Sequence, residues 1–184
     1  MSHDTDSTKR PDPLALFHGP AAHRSAGRPR PGKRVLLVDD DSTVLGPLTD
    51  VLVAEGYAVI PAENGQRALD LDALSAVDLV LLDLNMPVKN GWETFEQLTR
   101  EHPFVPIIIV TARPNQLFTA LSAGVGALLE KPMDIPTLLR TMENLLAQSA
   151  EQHLARLVGK TNDFTYVPAA RSYQHNYPAN QHQR

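Results

Sequence analysis

An unbroken apolar run that ends on a carboxylate constrains this chain more than any other sequence feature. Leu79 to Leu82 are four consecutive aliphatic residues, which is typical of a strand buried on both faces of a sheet. Asp83 follows directly, and Pro87 cannot continue the strand because it has no backbone N–H to donate. We therefore expect Asp83 where a central strand ends and a loop begins. In open α/β sheets, this edge is where ligands bind.

Similar apolar runs recur along the chain, and segments with helical periodicity separate them. The predicted strands cover residues 34–38, 57–61, 77–83, 106–110 and 125–129. Each is followed by apolar residues at a spacing of three or four, which is typical of an amphipathic helix. Five strands that alternate with five helices predict an α/β fold with a five-stranded parallel sheet and right-handed crossovers.

Charge is distributed unevenly, and this excludes some classes of function. Residues 33–148 contain eight basic and sixteen acidic side chains, a net charge of −8, whereas the whole chain has −4. An acidic domain is a poor nucleic-acid binder, because phosphate contacts need Lys and Arg. The chain has no cysteine, which excludes disulfides and thiol catalysis. It also lacks an apolar leader and any long apolar run, so we predict a soluble cytoplasmic protein without membrane contact.

Polar residues stand at the ends of four of the predicted strands. Asp39 and Asp40 follow the first strand, Asp83 the third, Thr111 the fourth and Lys131 the fifth. Parallel strands bring these ends to one edge of the sheet. Carboxylates that crowd there repel unless a cation joins them, and a few oxygen ligands with room for water suit Mg²⁺. With an amine and a hydroxyl beside them, these groups are typical of a carboxylate that accepts a phosphoryl group.

Each of these residues alone is a weak signal, because acids after a strand often cap helices. Their combination in four short motifs is specific. The motifs are Val38-Asp39-Asp40-Asp41, Asp83-Leu84-Asn85-Met86-Pro87 followed by Gly91, Val110-Thr111-Ala112, and Lys131-Pro132. In these motifs, residues 33–148 resemble the receiver domain of two-component response regulators. The resemblance implies a flavodoxin-like sheet of strand order 2-1-3-4-5.

The resemblance also implies a role for each motif residue. Asp83 would be the phosphoacceptor, and Asp39, Asp40 and the backbone carbonyl of Asn85 would join it in holding Mg²⁺. Thr111 and Lys131 would bind the phosphoryl group, and the Lys131–Pro132 peptide would be cis. The donor would be a phosphohistidine on a sensor histidine kinase or phosphotransfer protein. Such a domain is a signalling protein rather than an enzyme, with self-phosphorylation from small donors and self-dephosphorylation expected.

The sequence departs from the family pattern at two positions. Leu128 stands three residues before Lys131, where many members have Tyr or Phe, so an aromatic switch at that residue is excluded. Asn90 stands where Asp is frequent, and we interpret this change as neutral. Gly91 after it offers a residue that can take a positive φ.

Three other classes compete with a phosphorylated receiver. A pseudo-receiver would use the same fold as a scaffold without phosphorylation. A flavodoxin-like cofactor binder would need a phosphate loop after the first strand, where this chain has three acids instead. An aspartate-nucleophile phosphatase would need a second Asp two residues after Asp83, where Asn85 stands.

The segments outside the domain lead to further predictions. We predict disorder for residues 1–32 and 160–184, which are rich in Pro, Gly and polar residues, and a helix extension for residues 149–159. Apolar Leu154, Leu157 and Val158 could extend the last helix and support a homodimer, or could be a frayed end. The segment after residue 148 is too short and polar for an output domain. We therefore predict a single-domain regulator that signals through its fourth helix, fifth strand and fifth helix to an unknown protein target, or that relays phosphate onward.

Overall fold

The fold is that of a computed structural model, which describes residues 32–71, 74–87, 90–161 and 163–169. The strands are β1 (Arg34–Val38), β2 (Ala58–Ala62), β3 (Leu79–Leu82), β4 (Ile107–Thr111), β5 (Ala127–Glu130) and β6 (Thr165–Val167). The helices are α1 (Ser42–Ala54), α2 (Gly65–Leu69), α3 (Gly91–Glu101), α4 (Leu117–Ser122), α5 (Ile135–Ala147) and α6 (Ala150–Leu157). Among these residues, no helix is both long enough and apolar enough to cross a bilayer.

All six strands form one parallel sheet in the order β2-β1-β3-β4-β5-β6. The predicted fold class and the order 2-1-3-4-5 of the first five strands are confirmed. The central strands are apolar throughout because both faces of the sheet are covered. Leu36 and Val38 of β1 belong to the core on one face, and Val35 and Leu37 to the core on the other.

The predicted strand count was too low by one. β6 lies within residues 160–184, for which disorder was predicted, so that prediction is wrong for Thr165–Val167. The strand pairs with β5, and its last residue Val167 packs on one face of the sheet while Phe164, just before the strand, packs on the other. A three-residue strand among polar residues gives little periodic signal, which is why sequence patterning misses it. Residues 170–184, and residues 1–31 of the predicted N-terminal arm, lie outside the described part of the chain.

The predicted helix extension is instead a separate helix. α5 ends before Gln148, and Ser149 begins α6 with a capping box in which Ser149 and Gln152 bond each other's backbone N–H groups. Leu157 packs against Gly124 of the same chain, and Val158 is 64% exposed. Part of the predicted apolar stripe therefore contacts the domain itself rather than being free for a second copy.

Candidate functional site

The predicted acids lie side by side because β1 and β3 are neighbours in register. Val38 is paired with Leu82, so Asp39 and Asp83 leave the sheet at the same level. The backbone N–H of Asp83 donates to the carbonyl of Val38 over 2.9 Å, which continues the ladder by one residue. The parallel pairing thus fixes two carboxylates at the carboxyl edge before any side-chain contact is made.

Three carboxylates converge at this edge. Oxygens of Asp39, Asp40 and Asp83 all lie within 4.8 Å of one another. Asp39 and Asp83 are buried, whereas Asp40 is exposed. Oδ1 of Asp83 is buried and has no hydrogen-bond partner among the described residues. A buried carboxylate oxygen without a partner is costly, and it fits a site built to receive a cation or water at that atom.

Among the described residues, Lys131 provides the amine in contact with these acids. Its Nζ lies 2.7 Å from Oδ2 of Asp39 and 3.5 Å from Oδ2 of Asp83. β5 delivers the residue to this edge, and the Lys131–Pro132 peptide is cis, as the resemblance implied. The cluster of Asp39, Asp40, Asp83 and Lys131, here called the acid cluster, therefore has more negative than positive charge.

The environment of Asp39 differs from that of the neighbouring Asp41. Burial raises the pKa of Asp39, although Lys131 and the backbone N–H of Asp41 act in the opposite direction. Asp41 caps α1 by accepting from the hydroxyl and backbone N–H of Thr43, and these bonds lower its pKa. The third acid of the motif therefore has a structural role: it starts α1 and orients Asp39 through its amide.

A cleft of about 460 Å³ opens over the acid cluster. Its walls are formed by Asp40, Asp41, Val44, Asp83, Asn85, Ala112, Lys131 and Pro132. Thr111 lies outside these walls, fully buried at the end of β4, and its hydroxyl accepts from the backbone N–H of Arg113 over 3.1 Å. The structure thus brings five predicted site residues together, namely Asp39, Asp40, Asp83, Asn85 and Lys131. It leaves Thr111 next to the cleft but turned to its own loop.

Gly91 has a different role from the one the sequence indicated. Its φ is not positive, so conformational freedom does not explain it. A Cβ at this position would lie 2.5 Å from the carbonyl oxygen of Asp83 and would also clash with the backbone of Leu84. α3 therefore begins in direct contact with the loop that follows Asp83, and only glycine permits this approach. Sequence patterning located the residue but not its physical reason.

The fold and the acid cluster together define a class of protein. The sequence profile of the response regulator receiver domain matches residues 35–143, and the chain belongs to that family. Receiver domains act in two-component signalling and bind Mg²⁺ in their acidic pocket.

Individual relatives agree with this assignment. Over 118 residues, the chain is 39% identical to the transcriptional regulatory protein CpxR of Escherichia coli K12, covering 63% of this chain and 50% of CpxR. It is 38% identical over 118 residues to protein PilH of Pseudomonas aeruginosa, covering 62% of this chain and 98% of PilH. The chain therefore spans about half the length of CpxR and nearly all of PilH.

A solved structure extends the likeness to three dimensions. The response regulator TrrA from Thermotoga maritima, in complex with Mg²⁺-BeF, has a TM-score of 0.57 and 30% sequence identity. The match covers 61% of this chain and 98% of TrrA.

Proposed function

We propose that this protein is a response regulator whose Asp83 accepts a phosphoryl group from a phosphohistidine of a partner kinase or phosphotransfer protein. The observation that supports the proposal is the position of Asp83. It lines an open cleft, contacts the amine of Lys131 at 3.5 Å, and keeps one buried carboxylate oxygen that has no partner in the part of the chain that the structure describes. A carboxylate in this setting is oriented but not neutralised.

The transfer itself needs no further co-reactant. A carboxylate oxygen of Asp83 attacks the phosphorus of the donor, the phosphorus–nitrogen bond breaks, and the imidazole leaves with the electron pair. The product is an acyl phosphate on Asp83. Catalysis of such a loose phosphoryl transfer consists mainly of positioning and charge stabilisation.

Lys131 and Thr111 would provide stabilising donors from this chain. Lys131 already lies between Asp39 and Asp83, so its ammonium can follow a phosphoryl oxygen without leaving the cluster. Thr111 would have to turn its hydroxyl away from the amide of Arg113 to reach the same group. Binding of the phosphoryl group would therefore favour a rearrangement at the end of β4.

Asp39, Asp40 and Asp83 fit a Mg²⁺ ion, with the backbone carbonyl of Asn85 as a further ligand. Their oxygens lie within 4.8 Å of one another, and one oxygen of Asp83 has no donor from any residue that the structure describes. Mg²⁺ prefers carboxylate oxygens together with substrate phosphates, and when bound it would supply positive charge to the transferred group. The protein contributes two buried acids and one exposed acid that remains open to solvent.

A mass measurement tests the proposal. Incubation with acetyl phosphate and Mg²⁺ should add one phosphoryl group to the intact chain, and Asp83→Asn should abolish the addition. Asp78→Asn is a matched control at the other end of the same strand, where Asp78 accepts from Lys33 and from the amide of Arg34. If the unaltered chain gains no phosphoryl mass, the chain acts as a pseudo-receiver scaffold instead.

The signal would leave through a phosphorylation-dependent change of the receiver's own surface toward a protein target. The predicted output face of α4, β5 and α5 includes Phe118, which is 80% exposed, and Leu121 on the same helix. β6 occupies the edge of β5, so this chain adds its own element to that face. Recovery of a partner that binds only phosphorylated protein, and loses binding in Phe118→Ser, would support this route.

A further inference from the structure

Residues 149–161 and 163–169 form a strap that closes the β5 edge of the sheet. α6 packs on the turn after α4, where a Cβ at Gly124 would lie 2.8 Å from Cα of Leu157. β6 then runs parallel to β5, and the backbone N–H of Thr165 donates to the carbonyl of Gly126. The strap is therefore anchored to the start of the segment that leads to Lys131 and along β5.

The far end of the strap is bonded to the residue next to Lys131. The hydroxyl of Tyr166 donates to Oε1 of Glu130 over 3.0 Å, and the backbone N–H of Ala169 donates to Oε2 over 3.3 Å. Both oxygens of one carboxylate thus hold the strap. A change in the position of Glu130 must therefore alter both of these hydrogen bonds together.

Glu130 also faces Thr111. The two residues are register partners on β5 and β4, so their side chains project from the same face of the sheet. Tyr166 is the register partner of Leu128, two residues before Glu130, and it projects from that face as well. Thr111, Glu130 and Tyr166 therefore form a diagonal row on one face of three neighbouring strands, from the end of β4 to the strap.

The two ends of this row differ in exposure. Thr111 is fully buried, whereas Tyr166 is 38% exposed at the outer end. If the hydroxyl of Thr111 turned toward a phosphoryl group on Asp83, the packing at the buried end of the row would change. An inward shift of Glu130 and the ring of Tyr166 would then bury more of the ring. The sequence excluded an aromatic at Leu128, but the strap brings one to the adjacent strand position.

We infer that Glu130 and Tyr166 are positioning residues that couple the orientation of Thr111 to the docking of the strap, so that the strap binds the domain more tightly when the site holds a phosphoryl group. This inference rests on the proposed function of Asp83. By thermodynamic linkage, a docked strap also strengthens binding of the phosphoryl group by the same factor.

Hydrogen exchange of the strap tests the coupling. Mg²⁺ and beryllofluoride should slow amide exchange in residues 163–169 by about fivefold or more, which is the lower end of typical coupling between sites. Unchanged or faster exchange in protein that has bound the probe would overturn the inference. Binding is followed separately by the fluorescence of Trp92, the single tryptophan, whose ring N–H donates to Gln116 just before α4.

Two variants separate the contact from general stability of the strap. Tyr166→Phe keeps the ring but removes the bond to Glu130, so we expect most of the slowing to disappear and the affinity for beryllofluoride to fall by about fivefold. Thr165→Val removes a hydroxyl from the opposite face of the same strand and should change neither. Equal responses of the two variants would show that the row does not transmit the change.

Labelling with acetyl phosphate distinguishes failure of the coupling from failure of the proposed function. Phosphoryl mass on the intact chain together with unchanged strap exchange in the beryllofluoride complex would reject only the coupling. Absence of phosphoryl mass would reject the proposed function, and the coupling with it.

Discussion

The acid cluster and the region around Arg156 bury charge in opposite ways. The acid cluster has three carboxylates and one amine and opens to a cleft of about 460 Å³, and within the described ranges Oδ1 of Asp83 has no partner. Arg156 lies in the strap and is only 3% exposed. No carboxylate oxygen among the described residues lies within ion-pair distance of its guanidinium.

Arg156 donates to uncharged acceptor atoms in a group that we call the strap cluster, made of Arg156, His153, Gln148 and Asp163. The negative charge of Asp163 also acts on the guanidinium and favours a higher pKa. The guanidinium donates to Oε1 of Gln148 over 2.7 Å and to the backbone carbonyl of Asp163 over 3.3 Å, and it lies 2.6 Å from Nδ1 of His153. Burial lowers the pKa of Arg156. Burial and the neighbouring guanidinium together lower the pKa of His153 to about 4, so its ring is a neutral acceptor near pH 7.

The difference indicates what each cluster can do. A surplus of like charge beside a cleft can be neutralised by an ion or group that arrives and leaves, and its stability then depends on that ligand. A buried guanidinium that donates to several acceptors of its own chain, with only Nε left without a partner among the described residues, mainly fixes one packing arrangement. We therefore assign chemistry to the acid cluster and structure to the strap cluster.

Replacing the cation of each cluster, Lys131 or Arg156, should give the largest difference in phosphorylation rate between the two clusters. Lys131→Met should slow phosphorylation by acetyl phosphate by about 100-fold or more, since one donor to developing charge contributes roughly 3 kcal/mol. Arg156→Met should slow it by less than about tenfold, because it acts only through the strap. Rates of phosphoryl mass gain measure both, and a loss as large in Arg156→Met as in Lys131→Met would contradict the assignment.

A glycine packs closely against each cluster, and replacing it by Ala provides a second comparison. Gly91→Ala drives a Cβ into the backbone after Asp83 and should slow phosphorylation by about tenfold or more, because small misplacements of reacting groups are costly. Gly124→Ala drives a Cβ into Leu157 and should instead speed exchange in the strap. Each variant should cost about 1 to 3 kcal/mol of stability by denaturant unfolding. Slower phosphorylation of Gly124→Ala than of Gly91→Ala would contradict the assignment of chemistry to the acid cluster and structure to the strap cluster.

The acid cluster was largely predictable from the sequence, and the reason is the parallel sheet. Each of these strands is recognisable in the sequence as an apolar run. The register of the parallel strands then determines where the residue after each run lies, so the positions of Asp39, Asp83 and Lys131 could be predicted from the strand ends. The orientation of Thr111 was not predictable, because it depends on a hydrogen bond to the amide of Arg113. The reason for Gly91 also depends on a tertiary approach of α3, which leaves no periodic trace.

The strap was hardly predictable at all. Its strand has three residues, and its buried polar side chains, His153 and Arg156, have the sequence pattern of exposed residues on a short helix. Burial of these side chains depends on neighbours distant in sequence, such as Pro103, whose carbonyl accepts from the ring of His153. The periodicity of α6 located Leu157 but could not show that Gly124 would cover it.

Lowering the pH should weaken the strap cluster, because it protonates the buried ring of His153. The unfolded ring of His153 binds a proton near pH 6.5, but the folded ring binds one only near pH 4. Its contribution is therefore fully present above pH 6.5 and is lost as the pH falls from 6.5 toward 4. We expect strap protection in hydrogen exchange to fall by about 1 to 2 kcal/mol over that range, after allowance for solvent screening.

The contribution of His153 appears as a difference between variants, because buried acids such as Asp39 titrate with the opposite sign. His153→Gln should remove the loss of protection between pH 6.5 and 4, whereas His102→Gln should retain it. An identical pH profile in His153→Gln and the unaltered chain would show that another group is responsible.

Removal of the helix caps at Asn90 and Ser149 should give the smallest effects, and it tests whether the two clusters are independent. Asn90 caps α3 beside the acid cluster, and Ser149 caps α6 at the start of the strap. Replacing either by Ala should cost about 1 kcal/mol, because one backbone N–H loses its acceptor. Asn90→Ala should lower the rate of phosphoryl mass gain without faster strap exchange, and Ser149→Ala should do the reverse. The two substitutions cost similar free energies and remove the same kind of bond. If Asn90→Ala sped hydrogen exchange in the strap, or Ser149→Ala slowed phosphorylation, the two clusters would not be independent.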